Sequence, residues 1–136
     1  MKQTEEKILL KNSIITPDGT ELTSNHVYDY KSYKDANGEV YMNDGGREYI
    51  RRSVNKEPYI DNCIYSTDSF ERIRSELSWG TYGKKGTEEL HYIKFKDMSN
   101  AHIEAITTNF VEGLFINILK EELKYRELNN IFVEDN

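Results

Sequence analysis

The chain has 136 residues, 37% of them hydrophobic, a net charge of −6 and a single cysteine, Cys63. That length suits one domain with a modest core. No apolar run approaches the ~20 residues of a membrane-spanning helix, and one cysteine excludes both an internal disulfide and a cysteine-rich zinc site.

The first half reads as hairpins. ILLKNSIIT (8–16) is strand-like, and Pro17-Asp18-Gly19 turns the chain, because proline presets φ and glycine accepts a positive one. HVYDYKSY (26–33) alternates as a strand does. Asp35-Ala36-Asn37-Gly38 is a hairpin signal, EVYM (39–42) the return strand, and Asn43-Asp44-Gly45-Gly46 turns again into REYIRR (47–52). Three closely spaced turns predict an antiparallel β-meander over 8–52. Residues 53–66, with Pro58, read as irregular.

Asp68 then opens a short helix over 68–78, with Glu71 at capping-box spacing and Phe70, Ile73 and Leu77 on one face. SWGTYGKKGTEE reads as a glycine-rich loop of about ten residues, long enough to serve a function. LHYIKFK (90–96) is a strand with Ile93 and Phe95 on one face. Ser99 is a good N-cap, and Met98 with Ile103 matches the hydrophobic staple. Ile103, Ile106, Phe110, Leu114 and Ile118 then carry a helical stripe, with Lys120–Leu123 as its possible continuation, through 99–128, and with a possible break at Thr107-Thr108. Val111, Phe115, Ile116 and Leu119 widen the apolar surface beyond one face, which predicts a second subunit as its cover. The tail NNIFVEDN is expected to fray. The prediction is a single α+β domain over 1–136: an N-terminal antiparallel meander followed by C-terminal helices, in an oligomer with a shared core.

Charge is unevenly spread: segments 1–46, 47–96 and 97–136 carry −3, +2 and −5. A long nucleic acid is bound by neutralising many phosphates, which this balance disfavours. A small anion needs two or three cations, which the basic middle supplies. The start of the chain lacks an apolar leader, so a cytosolic location is expected.

No G-x-S-x-G elbow, H-E-x-x-H pair, P-loop or G-x-G-x-x-G is present. His26, His91 and His102 stand far apart and read as structural. On the predicted strand, Arg47 and Arg51 share a face and Arg52 takes the other. Either they grip a phosphate, or they pair with acids on a solvated sheet. Trp79 or Tyr82 either stacks on a purine, worth ~1–3 kcal/mol, or anchors the loop, while Lys84 and Lys85 either meet phosphate or are solvated. Asn100, Asp97 or Asn109 suits ribose hydroxyls. No metal site or cofactor is predicted, and no catalytic residue.

The ordered set PDGTEL (17–22), HVYDY (26–30), DANGEVYMNDGG (35–46), EYIRR (48–52), SFERIR (69–74), WGTYGKKG (79–86) and SNAHIEAI (99–106) resembles a family of small bacteriophage proteins, the first family of phage anti-Thoeris proteins, or sponges. The resemblance covers roughly residues 8–106. It implies an N-terminal antiparallel sheet followed by helices, in dimers or higher assemblies with ligand pockets between protomers. It also implies binding without degradation of the cyclic ADP-ribose isomer that a Thoeris TIR protein makes from NAD, in the host cytoplasm during infection, with cyclic oligonucleotides as further ligands in some members. The alternatives are a nucleic-acid-binding or regulatory phage protein, an enzyme that cleaves a nucleotide signal, and an assembly protein without a small ligand.

Overall fold

The computed structural model describes residues 7–53 and 58–135. Two compact units divide the chain, Met1–Ile73 and Arg74–Asn136. In chain order the elements of the first are β1 (Leu9–Ile15), β2 (Glu21–Ser24), β3 (Lys31–Lys34), β4 (Val40–Asp44), β5 (Arg51–Arg52), β6 (Ile60–Asp61) and β7 (Ile64–Tyr65). All pairings are antiparallel. The α+β class is as expected, with sheets early and helices late.

The single meander expected over 8–52 is instead two sheets. β1 pairs with β2, β6 and β7, and β3-β4-β5 forms the other. The two-residue strands β6 and β7 lie in the segment predicted to be irregular; residues 54–57 of that segment lie outside the described ones. β1 is central, and Asn12, Ser13 and Ile14 are all buried on it. Burying an asparagine is tolerable only when its amide is bonded. Asn12 Nδ2 donates to the Asp44 carbonyl (3.0 Å), while Asn43 Nδ2 donates to the carbonyls of Asn12 (3.1 Å) and Leu22 (3.0 Å). These bonds stitch the two sheets beside an apolar cluster of Ile14, Leu22 and Tyr41, with Tyr33 and Tyr59 packed on it.

The turns at 17–19 and 35–38 form where predicted: Gly19 N–H donates to the Thr16 carbonyl (2.9 Å) and Gly38 N–H to that of Asp35 (3.1 Å). Two predicted strands are shorter than their alternation suggests. At 26–30 local side-chain bonds win over the strand pattern. Asn25 N–H donates to Asp29 Oδ2 (2.8 Å) and Ser24 Oγ to the Asp29 carbonyl (2.6 Å), so the strand starts only at Lys31. At 46–49 the N–H groups of Glu48 and Tyr49 both donate to the Gly45 carbonyl (3.0 and 3.3 Å), coiling the chain. Gly46 permits this coil. Its φ is +55°, and a Cβ there would lie 2.3 Å from the His26 carbonyl carbon.

The remaining elements are α1 (Phe70–Glu76), which contains the boundary between the units, β8 (Ser78–Thr81), β9 (His91–Lys94), α2 (Asn100–Asn109) and α3 (Leu114–Asn129). Ser69, not Asp68, caps α1: its Oγ accepts from Arg72 N–H (3.3 Å), while Asp68 Oδ2 accepts from Tyr65 N–H (2.8 Å). The first four residues of the predicted glycine-rich loop are strand β8, paired with β9 in the register Trp79↔Ile93 and Thr81↔His91. The strand predicted over 90–96 ends at Lys94, and Phe95–Asp97 is a short 3₁₀ turn. Ser99 caps α2 as expected, accepting from His102 N–H (3.0 Å). The helices break at Phe110–Gly113, where Gly113 has φ +141°, and not at Thr107-Thr108. There Thr107 Oγ1 merely donates back to the Ile103 carbonyl (3.0 Å).

α3 buries Ile116 and Leu119, with Phe115 edge-to-face on Phe95 at 5.9 Å between ring centroids. Its next two inward positions are charged. Glu122 is fully buried and Arg126 is 1% exposed. Glu122 accepts from Arg126 Nε (2.7 Å) and from Arg74 Nε and Nη2 (2.7 and 2.8 Å). Arg126 also donates to Asn100 Oδ1 (2.7 Å) and to the carbonyls of Phe95 and Lys96 (3.0 and 3.3 Å). The guanidinium of Arg74 stacks 4.5 Å over Tyr125. Arg74 is held even more firmly protonated than a free arginine by its bonds to Glu122. Among the described residues no helix is long and apolar enough to cross a membrane.

Candidate functional site

The second unit holds a half-open cavity of about 670 Å³. One wall is the β8–β9 hairpin. Strand alternation puts Trp79, Thr81, His91 and Ile93 on one face, and the last three line the cavity. The opposite side is the start of α2, with Ser99, Ala101, His102 and Ala105. Asp97, Met98, Glu134 and Asp135 complete the lining.

The loop joining β8 to β9 supplies the rim. Gly86 N–H donates to the Gly83 carbonyl (3.1 Å) and Glu88 N–H to that of Tyr82 (2.8 Å). This closed turn brings Lys84 and Glu88 to the cavity. Lys84 is 86% exposed in its side chain and lies 3.7 Å from Asp135 Oδ2. The Asp135 carboxyl is held below the ordinary carboxylate range by a bond from the Ser99 hydroxyl, with Lys84 and His102 beside it. The lining therefore offers one lysine, two imidazoles and four carboxylates, set against the first turn of a helix. Such a surface can take a small polar ligand. Its carboxylates accept from hydroxyls, and its lysine favours an anion.

The predicted site residues scatter. Lys84 lines the cavity, and so does Asp97. Trp79 is half-buried on the same hairpin face but is not part of the lining. Tyr82 and Lys85 are exposed beside it. Asn100 is engaged elsewhere, its Oδ1 accepting from Arg126 and from Val133 N–H (3.1 Å). Asn109 donates back to the Ala105 carbonyl (2.9 Å) at the far end of α2. His91 and His102, far apart in sequence, both line the cavity.

The arginines belong to the first unit, and their expected common strand does not form. Arg47 is exposed in the coil after Gly46. Arg51 Nη2 donates to Asp44 Oδ2 (3.1 Å). The Arg52 side chain is 9% exposed and donates to Asn12 Oδ1 (3.0 Å), the Ser13 carbonyl (3.3 Å) and Cys63 Sγ (3.0 Å). Its other nitrogens face Asn43 Oδ1 (3.4 Å) and Asp61 (3.6 Å). Arg52 is thus committed to the seam between the two sheets. Burial there pushes the Cys63 thiol up, away from the thiolate.

Among the described residues no group of three or more histidine, cysteine, aspartate or glutamate side chains is placed to hold a metal ion. The chain matches no protein-family model, no curated protein and no solved structure.

Proposed function

We propose that the protein binds and sequesters a cyclic ADP-ribose-type signalling nucleotide in the second unit's cavity without degrading it, and so acts as a phage anti-defence protein against Thoeris immunity. One observation carries this reading: a cavity of about 670 Å³ gathers a lysine, two imidazoles, carboxylates and the start of a helix. That volume lies within the roughly 300–1,000 Å³ of small-ligand sites. Carboxylates such as Asp97 and Glu88 suit ribose hydroxyls, as acidic side chains do in dinucleotide sites. A lining this acidic disfavours a deeply seated diphosphate, so the phosphates belong at the rim with Lys84. Arg51 and Arg52 have no part in this site, being engaged with Asp44 and with the sheet seam.

The protein acts in this reading as a homo-oligomer. Phe110 and Val111, 59% and 74% exposed between α2 and α3, are surfaces for a second copy to cover. Capture of a nanomolar signal requires about −12 kcal/mol, which favours a pocket closed further by a neighbour.

A second reading is favoured by His91 and His102 lying with Glu88 and Asp97 in one cavity: imidazoles and carboxylates are the usual acid–base groups for hydrolysis. One experiment separates the two. The protein is incubated with the product of a Thoeris TIR enzyme, free nucleotide is measured, and the mixture is heat-denatured and measured again. Loss followed by full recovery supports sequestration. Loss without recovery supports hydrolysis. No loss refutes both.

A further inference from the structure

We propose that residues 131–135 form a displaceable strap beside the cavity, and that the Asp135 carboxylate holds the seat that a phosphate of the nucleotide takes on binding. This rests on the function proposed above and adds its regulation.

The strap begins where α3 stops. Asn130 adopts a left-handed conformation, and Ile131 N–H donates to the Arg126 carbonyl (2.8 Å), turning the chain back. Val133 then pairs with the first residue of α2. Asn100 N–H donates to the Val133 carbonyl (2.8 Å) and Val133 N–H to Asn100 Oδ1 (3.1 Å). This pairing delivers Glu134 and Asp135 to the cavity edge. Asp135 lies between Lys84, on the β8–β9 loop, and Ser99, at the cap of α2. A carboxylate there makes contacts a phosphate oxygen makes: an ammonium group and the hydroxyl at a helix cap.

Few buried apolar contacts hold the strap down. Phe132 is 70% exposed, Glu134 and Asp135 are exposed, and Ile131 and Val133 are only half-buried. Segments with few buried apolar contacts open at the low end of a protein's stability range. The seat beneath is firmer. Asn100 Oδ1 is fixed by the buried Arg126 (2.7 Å), and Ser99 by its cap bond to His102. When the strap lifts, the seat keeps its shape while the cavity loses two carboxylates. The acidity that disfavours a phosphate in the closed state is in part the strap's own.

The test compares the wild-type chain with Asp135→Asn, using cyclic ADP-ribose as the probe in titration calorimetry and amide hydrogen exchange at Val133 without nucleotide. Asp135→Asn is expected to bind roughly threefold tighter, the scale of losing one exposed ion pair that holds the strap closed. Exchange at Val133 is expected to quicken by a similar factor. If the wild type binds but Asp135→Asn binds no more tightly, or if Val133 exchange is unchanged, the strap is wrong and sequestration stands. If neither protein binds, sequestration and the competition fall together.

Discussion

Removing Glu122 tests what holds the second unit together. Glu122 and Arg126 are almost completely buried, and Arg74 is 13% exposed in its side chain. Glu122→Leu keeps the volume but strands two guanidinium groups. Arg74 lies close enough to the surface to swing towards water. Arg126 cannot, since its other donors are fixed on Asn100, Phe95 and Lys96. Breaking a buried pair by removing one partner costs about 3–5 kcal/mol, and Glu122→Leu belongs near the top of that range. Arg126→Met leaves Glu122 with its two bonds from Arg74, so it belongs near the bottom, at about 3 kcal/mol. The double variant puts two apolar side chains together and is expected to regain about 2 kcal/mol or more over the sum of the singles. Urea unfolding followed by the fluorescence of Trp79, the one tryptophan in the chain, reads these values in the right unit. A loss below about 1 kcal/mol for Glu122→Leu, or strict additivity in the double variant, refutes the reasoning.

Arg52→Ala is expected to cost about 1–3 kcal/mol, because the Asn12 and Ser13 acceptors beneath it lose their donor. It should leave nucleotide affinity of the folded protein unchanged; calorimetry showing a loss would return Arg52 to the ligand site. Gly46→Ala places a Cβ against the His26 backbone and is expected to cost at least ~2 kcal/mol in thermal or urea unfolding. Gly19→Ala has open space and only its positive φ to pay for, about 1 kcal/mol; equal costs would contradict the close approach. The Asp18 carboxyl is held far below the ordinary range by bonds from Thr16, Tyr33 and Thr20. A depressed folded-state pKa contributes stability that is full above the unfolded value of ~3.9 and is lost as pH falls from there towards the folded value. Asp18→Asn should therefore lower stability at pH 6 and flatten its decline below pH 4 in parallel urea titrations; an unchanged slope refutes the assignment.

Local chemistry was legible wherever one short stretch decided the outcome. The turns at Pro17-Asp18-Gly19 and Asp35–Gly38, the Ser99 cap and the α+β order all followed from residues adjacent in sequence. Where strand alternation competed with side-chain bonds, as at Asn25–Asp29 and in the coil after Gly46, the alternation misled, because hydrogen bonds over three or four residues outweigh a weak β pattern. Glu122 falls within the expected continuation of the helical stripe at Lys120–Leu123, and Arg126 lies beyond it. Glu122 and Arg126 continue the three-and-four spacing of Ile116 and Leu119, so they occupy inward positions.

By itself, the sequence determined the composition of the fold and supplied the candidate cations. The tertiary structure decided what each was for. It committed Arg52 to a seam between sheets, engaged Asn100 with Arg126, and brought Lys84, His91, His102 and Asp135 to one cavity. The reason is distance along the chain. Caps and turns are set within a few residues, whereas whether an arginine meets a ligand or an asparagine forty residues away depends on which strands pair.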